Sequence, residues 1–261
     1  TCRLPDLKER HLPENCRETI NTILKETYGY EQFRNLEIYD DLSKGKEKLC
    51  ISQGQLIENV ILEAEKAWKG ETQVDNILLT APTGSGKSLL FQLPAIYLGK
   101  EYNLLTIVVS PLKALIVDQV ESLQELGYTR VAYASSDLSP EQKMEVYRQV
   151  REGEIDLFYL SPELLLSYDI KHFVGERRIG LVVVDEAHTV TTWGKEFRVD
   201  YWFLGRYLTA LKQTLGYNFP LFALTATAVW NPKGGPDMIS ATLRSSQMDP
   251  CVHYVGAVKR R

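Results

Sequence analysis

The stretch Ile77-Leu78-Leu79-Thr80-Ala81-Pro82-Thr83-Gly84-Ser85-Gly86-Lys87-Ser88 decides the fold. It begins as a short apolar run and ends where a helix-forming segment starts, so its order is strand, glycine-rich loop, helix N-terminus. Gly84 and Gly86 let backbone N–H groups close around an anion, which a Cβ at either position would obstruct. Lys87 supplies a point charge for outer phosphates, and the Ser88 hydroxyl is of the kind that ligates Mg²⁺. Thr83, Gly84, Ser85, Gly86, Lys87 and Ser88 together predict a site for a nucleoside triphosphate with Mg²⁺. Ala81 departs from the commonest form of the loop, which has glycine there.

Working outward, Ile179-Gly180-Leu181-Val182-Val183-Val184 is a continuous apolar run, as expected of a strand buried on both faces, and it ends in Asp185-Glu186-Ala187-His188. Acids at the carboxyl end of a strand sit where open α/β sheets bind ligands. Asp185 is suited to hold Mg²⁺ through its water shell, and Glu186 to orient a water for in-line attack on a γ-phosphate. Alone, such a pair is also an ordinary helix cap; paired with the upstream loop it predicts hydrolysis. Lys87, Asp185, Glu186 and His188 form the expected catalytic set, with Ser88 and Asp185 as metal ligands.

Strands read near Ile77–Thr80, Leu104–Ser110, Val131–Ala134, Leu157–Leu160, Leu181–Asp185 and Leu221–Thr225 alternate with helices near Gln55–Trp68, Lys87–Leu98, Leu112–Leu126, Pro140–Arg151 and Val199–Thr214. That alternation predicts an α/β domain: a mostly parallel sheet with helices on both faces. Ser139 and Pro140 read as cap and first residue of one helix. Cys16 to Thr27, with Ile20, Ile23 and Leu24, reads as an amphipathic helix packed on the sheet domain.

Composition agrees. At 261 residues and 44% hydrophobic the chain can bury a full core. Cys2, Cys16, Cys50 and Cys251 are too dispersed for a metal knuckle or a compact disulfide framework. This favours a reducing, cytoplasmic or nucleoid-associated setting. No apolar run approaches bilayer length, and Thr1 to Glu14 is too polar for a signal peptide. The net charge of −4 leaves room for a local basic groove but does not itself choose a partner; Arg177-Arg178 and Lys259-Arg260-Arg261 read as solvated surface.

The loop, the Asp185-Glu186-Ala187-His188 box and Leu224-Thr225-Ala226-Thr227-Ala228 resemble motifs I, II and III of superfamily-two helicases. More narrowly, Trp193-Gly194, Phe197-Arg198 and Asp200-Tyr201 are similar to the aromatic-rich loop of RecQ-family DNA helicases, with Thr191-Thr192 in place of the family's Ser-Gln. Val109-Ser110-Pro111-Leu112-Lys113-Ala114-Leu115 and Tyr159-Leu160-Ser161-Pro162-Glu163-Leu164 resemble motifs Ia and Ib.

The resemblance implies a RecA-like P-loop domain that hydrolyses ATP and moves 3′–5′ along DNA, single-stranded or forked. It assigns coupling to Thr225, Ala226 and Thr227. It assigns DNA contacts to Trp193, Phe197 and Arg198 by stacking and phosphate pairing, and to Ser110, Lys113 and Ser161 by backbone phosphate contact. Gly29-Tyr30 and Phe33-Arg34 look like the opening of the adenine-reading motif, but Asn35-Leu36-Glu37 follows where its glutamine is due. Gln55, in Gln53-Gly54-Gln55-Leu56-Ile57, is the expected adenine reader, with an insertion rich in charge (Asp40, Asp41, Lys44, Lys46, Glu47, Lys48) splitting the motif.

Val229 to Arg261 is short for a second RecA-like domain, so residues 51–261 read as motor domain 1 of a longer protein and residues 1–50 as its helical extension and inserted segment. Without an arginine from the second domain, hydrolysis falls by on the order of 10³ or more. The alternatives are an ATP-driven DNA translocase of a restriction or phage-defence system, and a nucleotide-gated binding module without turnover.

Overall fold

The computed structural model describes residues 2–3, 16–39, 48–82, 84–167, 169–187, 197–226, 248 and 251–256. Its centre is an eight-stranded parallel sheet of β1 (Cys2–Arg3), β4 (Asn76–Thr80), β5 (Leu105–Val109), β6 (Val131–Ala134), β7 (Leu157–Leu160), β8 (Ile179–Val184), β9 (Leu221–Thr225) and β10 (Cys251–Val255). The strand order is β1-β10-β4-β9-β8-β5-β7-β6. Every residue of β4, β5, β7, β8, β9 and β10 is buried, as expected of mostly apolar strands covered on both faces.

The alternation of side chains along these strands divides the core in two. Ile77, Leu79, Val108, Leu181 and Val183 pack with α1 (Glu18–Tyr28), α2 (Gln53–Trp68), α3 (Leu89–Tyr102) and α4 (Lys113–Glu125). Leu78, Ile107, Val109, Val182 and Val184 face α5 (Pro140–Arg151), α6 (Pro162–Ser167), α7 (Lys171–Val174) and α8 (Phe197–Leu215). The expected α/β sheet with helices on both faces is therefore present.

Local chemistry sets the helix ends. Ser139 and Gln142 form a reciprocal capping box with Pro140 at the first helical position of α5. α1 buries Ile20, Ile23 and Leu24 and stops at Gly29, φ 69°. Arg17, just before α1, binds Glu58 through Nε at 3.0 Å and Glu65 through Nη1 at 2.7 Å, tying the start of α1 to α2.

Three features differ from the sequence expectations. The helix after the phosphate loop begins at Leu89 and not at Lys87. The inserted segment contains an antiparallel pair, β2 (Asn35–Tyr39) and β3 (Lys48–Ser52), with Leu36, Ile38 and Ile51 buried in the same core as α1 and β4. β10, unforeseen, pairs with β4 in register Val252↔Ile77 to Val255↔Thr80. Strand pairing across so great a separation in sequence leaves no local signature.

Candidate nucleotide site and its surroundings

The phosphate loop leaves the carboxyl end of β4, with β10 on one side and β9 on the other. Main-chain bonds stitch it to the other motifs. Ala81 N–H donates to Thr225 O at 2.9 Å, Ala187 N–H to Leu224 O at 2.9 Å, and Asp185 N–H to Val109 O at 2.9 Å. Motif II is joined to β9 through the backbone carbonyl of Leu224. Ala226 follows, partly buried. Thr83, His188, Trp193 and Thr227 lie outside the described residues.

In the loop, Gly84 and Gly86 have φ of 80° and 76°, a region that only glycine enters without penalty. A Cβ on Gly86 would meet Gln53 Nε2 at 2.7 Å. Ser85 Oγ is buried with no hydrogen-bond partner. Lys87 Nζ donates to Ala81 O at 3.2 Å and Pro82 O at 3.5 Å, folding the ammonium back over its own loop. Ser88 makes no side-chain cap bond to α3, so its hydroxyl is not spent on the helix. An orphaned hydroxyl, a lysine resting on two carbonyls and two left-handed glycines fit a phosphate chain.

Asp185 is buried. Its Oδ1 accepts from Glu186 N–H at 2.9 Å and its Oδ2 from Gln119 Nε2 at 3.3 Å. Burial and then the neighbouring Glu186 carboxylate push its carboxyl above the ordinary aspartate value, against the pull of these donors and of Lys87. Glu186 sits at φ 50°, a left-handed conformation that costs a non-glycine residue about 1–2 kcal/mol. A desolvated carboxylate beside a strained acid is a fitting partner for a divalent cation. Among the described residues no cluster of three or more His, Cys, Asp or Glu could hold a metal; a cation here would rely on Asp185, Ser88 and phosphate oxygens.

At the start of α2 the two glutamines of Gln53-Gly54-Gln55 take different partners. Gln55 Oε1 accepts from Ser52 N–H at 2.9 Å as the third residue of a capping box at the start of α2. The glutamine that touches the loop is Gln53, buried, whose Nε2 donates to Ser85 O at 3.0 Å while its Oε1 accepts from Arg34 N–H at 3.2 Å. Beside it a cavity of about 430 Å³ opens between Arg34–Ile38 of the inserted hairpin and Ala81, Pro82, Gly84 and Ser85 of the loop. The two glutamines are equivalent in composition, and only the helix start tells them apart.

The expected DNA contacts separate. Ser110, the residue after β5, is 1% exposed, and its hydroxyl is buried without a hydrogen-bond partner. Lys113 is exposed at the first turn of α4 and ion-paired with Asp137. Ser161 Oγ accepts from Leu164 N–H at 3.4 Å, a cap at the start of α6. Phe197 and Arg198 open α8, but their side chains lie outside the described residues.

The profile of the DEAD/DEAH box helicase family matches residues 58–233. The chain is 35% identical over 217 residues to the ATP-dependent DNA helicase RecQ of Synechocystis sp., covering 81% of this chain and 38% of that protein. It is 40% identical over 179 residues to the probable ATP-dependent DNA helicase RecS of Bacillus subtilis, covering 69% of this chain and 33% of that protein. It thus spans about a third of the length of these relatives. The DUF1998 helicase MrfA bound to DNA superposes with a TM-score of 0.61 at 20% identity, over 94% of this chain and 30% of that one, a likeness of fold. With a phosphate loop, an acid pair and the β9 terminus joined at one end of the sheet, the chain belongs to the DEAD/DEAH box helicase family, and its sequence resembles the RecQ members.

Proposed function

We propose that this chain is the first motor domain of an ATP-dependent DNA helicase, binding ATP and Mg²⁺ at the phosphate loop and driving 3′–5′ movement with a second RecA-like domain of the same protein. The observation that carries this reading is the junction of the three motifs: Ala81 held by Thr225 O, and Ala187 by Leu224 O. A change at the phosphates therefore reaches the acid pair across two main-chain hydrogen bonds.

In this reading Lys87 exchanges the carbonyls of Ala81 and Pro82 for the outer phosphate oxygens, and the N–H groups around Gly84 and Gly86 bind the inner ones. Ser88 and Asp185 would hold the cation, which neutralises phosphate charge when bound. Glu186 orients the attacking water and takes its proton; His188 belongs to the same box. The base occupies the cavity bordered by Arg34–Ile38, with Gln55 as adenine reader. A two-point amide contact then has to release Ser52 N–H, at a cost of about 1 kcal/mol for the lost cap. Lys113, Ser161 and Arg198 meet the DNA backbone, and Trp193 and Phe197 stack on bases. The names of the RecQ relatives, all DNA helicases, support the choice of DNA.

Titration of a fluorescent ATP analogue tests the core of the reading. Lys87→Ala is expected to weaken binding by about 1.5–3 kcal/mol through loss of a charge-assisted contact. Equal affinity for wild type and variant would remove the site.

A further inference from the structure

A line of hydrogen bonds crosses the domain from the N-terminal helix to the acid pair. Tyr28 Oη, the last residue of α1, donates to Gln92 Oε1 on α3 at 3.2 Å. Gln92 Nε2 donates to Tyr159 Oη on β7 at 3.1 Å. Tyr159 Oη donates to Gln119 Oε1 on α4 at 3.0 Å, and Gln119 Nε2 donates to Asp185 Oδ2 at 3.3 Å. Gln92 and Tyr159 are buried, Tyr159 completely, with its ring edge against Phe91.

The direction of the whole line follows from its last link. An ionised carboxylate only accepts, so Gln119 must turn its NH₂ toward Asp185 and its oxygen toward Tyr159. Tyr159 has one hydroxyl hydrogen, spent on that oxygen, so it must accept from the NH₂ of Gln92. Gln92 is then left with its oxygen toward Tyr28, which donates. Burial holds both phenols well above their ordinary range, so both remain donors. Each group has one arrangement that satisfies it, and bonds aligned head to tail strengthen one another in a low dielectric.

We propose that Tyr28, Gln92, Tyr159 and Gln119 are positioning residues that aim the Asp185 carboxylate, so that the seating of α1 on α3 governs how well this domain takes a divalent cation. The proposal rests on the assignment of Asp185 to the cation. With Oδ1 held by Glu186 N–H and Oδ2 by Gln119, both oxygens are oriented, and the carboxylate is fixed in rotation before the cation arrives. At its other end α1 is anchored by Arg17 to Glu58 and Glu65, which makes Tyr28 the tip of a firmly seated helix.

The test compares nucleotide affinity with and without the metal. The full chain is titrated with a fluorescent ATP analogue in EDTA and in Mg²⁺, and melting temperature is read on the same samples. Tyr159→Phe removes one oxygen and is expected to leave the EDTA affinity unchanged while cutting the Mg²⁺-dependent gain roughly three- to tenfold. Tyr28→Phe, at the partly exposed end, is expected to shift the gain in the same direction by less, and decides the matter if Tyr159→Phe does not fold. Tyr128→Phe is the control: Tyr128 lies near Tyr28 but spends its hydroxyl on Asp156 Oδ2 at 3.0 Å and bonds to no member of this line. Its loss is expected to lower melting temperature and leave the gain intact. If wild type itself shows no gain from Mg²⁺, the assignment of the cation to Asp185 fails. If wild type shows the gain and Tyr159→Phe and Tyr28→Phe keep it in full, or Tyr128→Phe loses as much, the positioning proposal is overturned.

Discussion

Gln53→Ala removes an amide that is 2% exposed and that joins two segments distant in the chain, Arg34 N–H at 3.2 Å and Ser85 O at 3.0 Å. Each bond is worth about 1 kcal/mol net, and truncation also empties the space of a buried side chain and leaves two part-buried main-chain groups to find new partners, so the expected cost is about 2–4 kcal/mol. For a domain of this size each kcal/mol lowers the melting temperature by about 2–4 °C, which sets the expected drop at roughly 5–15 °C. Nucleotide affinity should fall as well, because Ser85 O loses the contact that orders the loop before binding. Gln53→Glu refines the test. Its carboxylate can still accept from Arg34 N–H but sets an oxygen against Ser85 O, so it should harm the loop more than the hairpin side. Gln55→Ala should act differently, costing about 1 kcal/mol for the cap and eroding the preference for ATP over GTP. Thermal unfolding and parallel titrations with ATP and GTP read all three variants. Should Gln53→Ala melt with wild type and bind ATP as tightly, the role given to Gln53 in ordering the loop is wrong.

Three further outcomes are expected. Arg177, expected on the solvated surface, is instead buried, with Nη1 on the carbonyls of Val150 and Ile155 and Nη2 on Asp156. Losing Asp156, which also holds Arg130 Nε at 2.6 Å and Tyr128, strips that buried cation of its carboxylate; Asp156→Ala should destabilise by about 3–5 kcal/mol in denaturant unfolding, and a change within experimental scatter would refute the cluster's structural weight. Burial lowers Lys212, stacked over Phe219, to about 8. The unfolded chain keeps its proton to about 10.4, so stability should rise with pH between those values as the folded state alone gives it up. Lys212→Met should abolish that rise, and an identical pH profile in the variant would contradict the assignment. In a protein that also carries the second motor domain, Trp193→Ala should leave melting and DNA-free ATPase nearly unchanged while DNA stimulation collapses; a loss of roughly 3–5 kcal/mol in stability would instead mark a core tryptophan.

The sequence by itself determined the phosphate loop, the acid pair at the end of β8, the strand limits at Val131–Ala134, Leu157–Leu160 and Leu221–Thr225, and the start of α5 at Ser139-Pro140. Each is a local requirement: left-handed glycines, short apolar runs and capping side chains act within a few residues of where they are read. Other features belonged to the tertiary structure. The hairpin Asn35–Ser52, the seat of β10 beside β4 and the choice of Gln53 over Gln55 at the loop depend on which surfaces meet. So does the burial of Ser110, a polar residue whose strand end happens to be covered. The line from Tyr28 to Asp185 joins residues 64, 67, 40 and 66 positions apart at its successive links. No local pattern encodes such a line, because a buried polar side chain takes its partner from whatever the packed helices and strands bring within 3 Å or so of it.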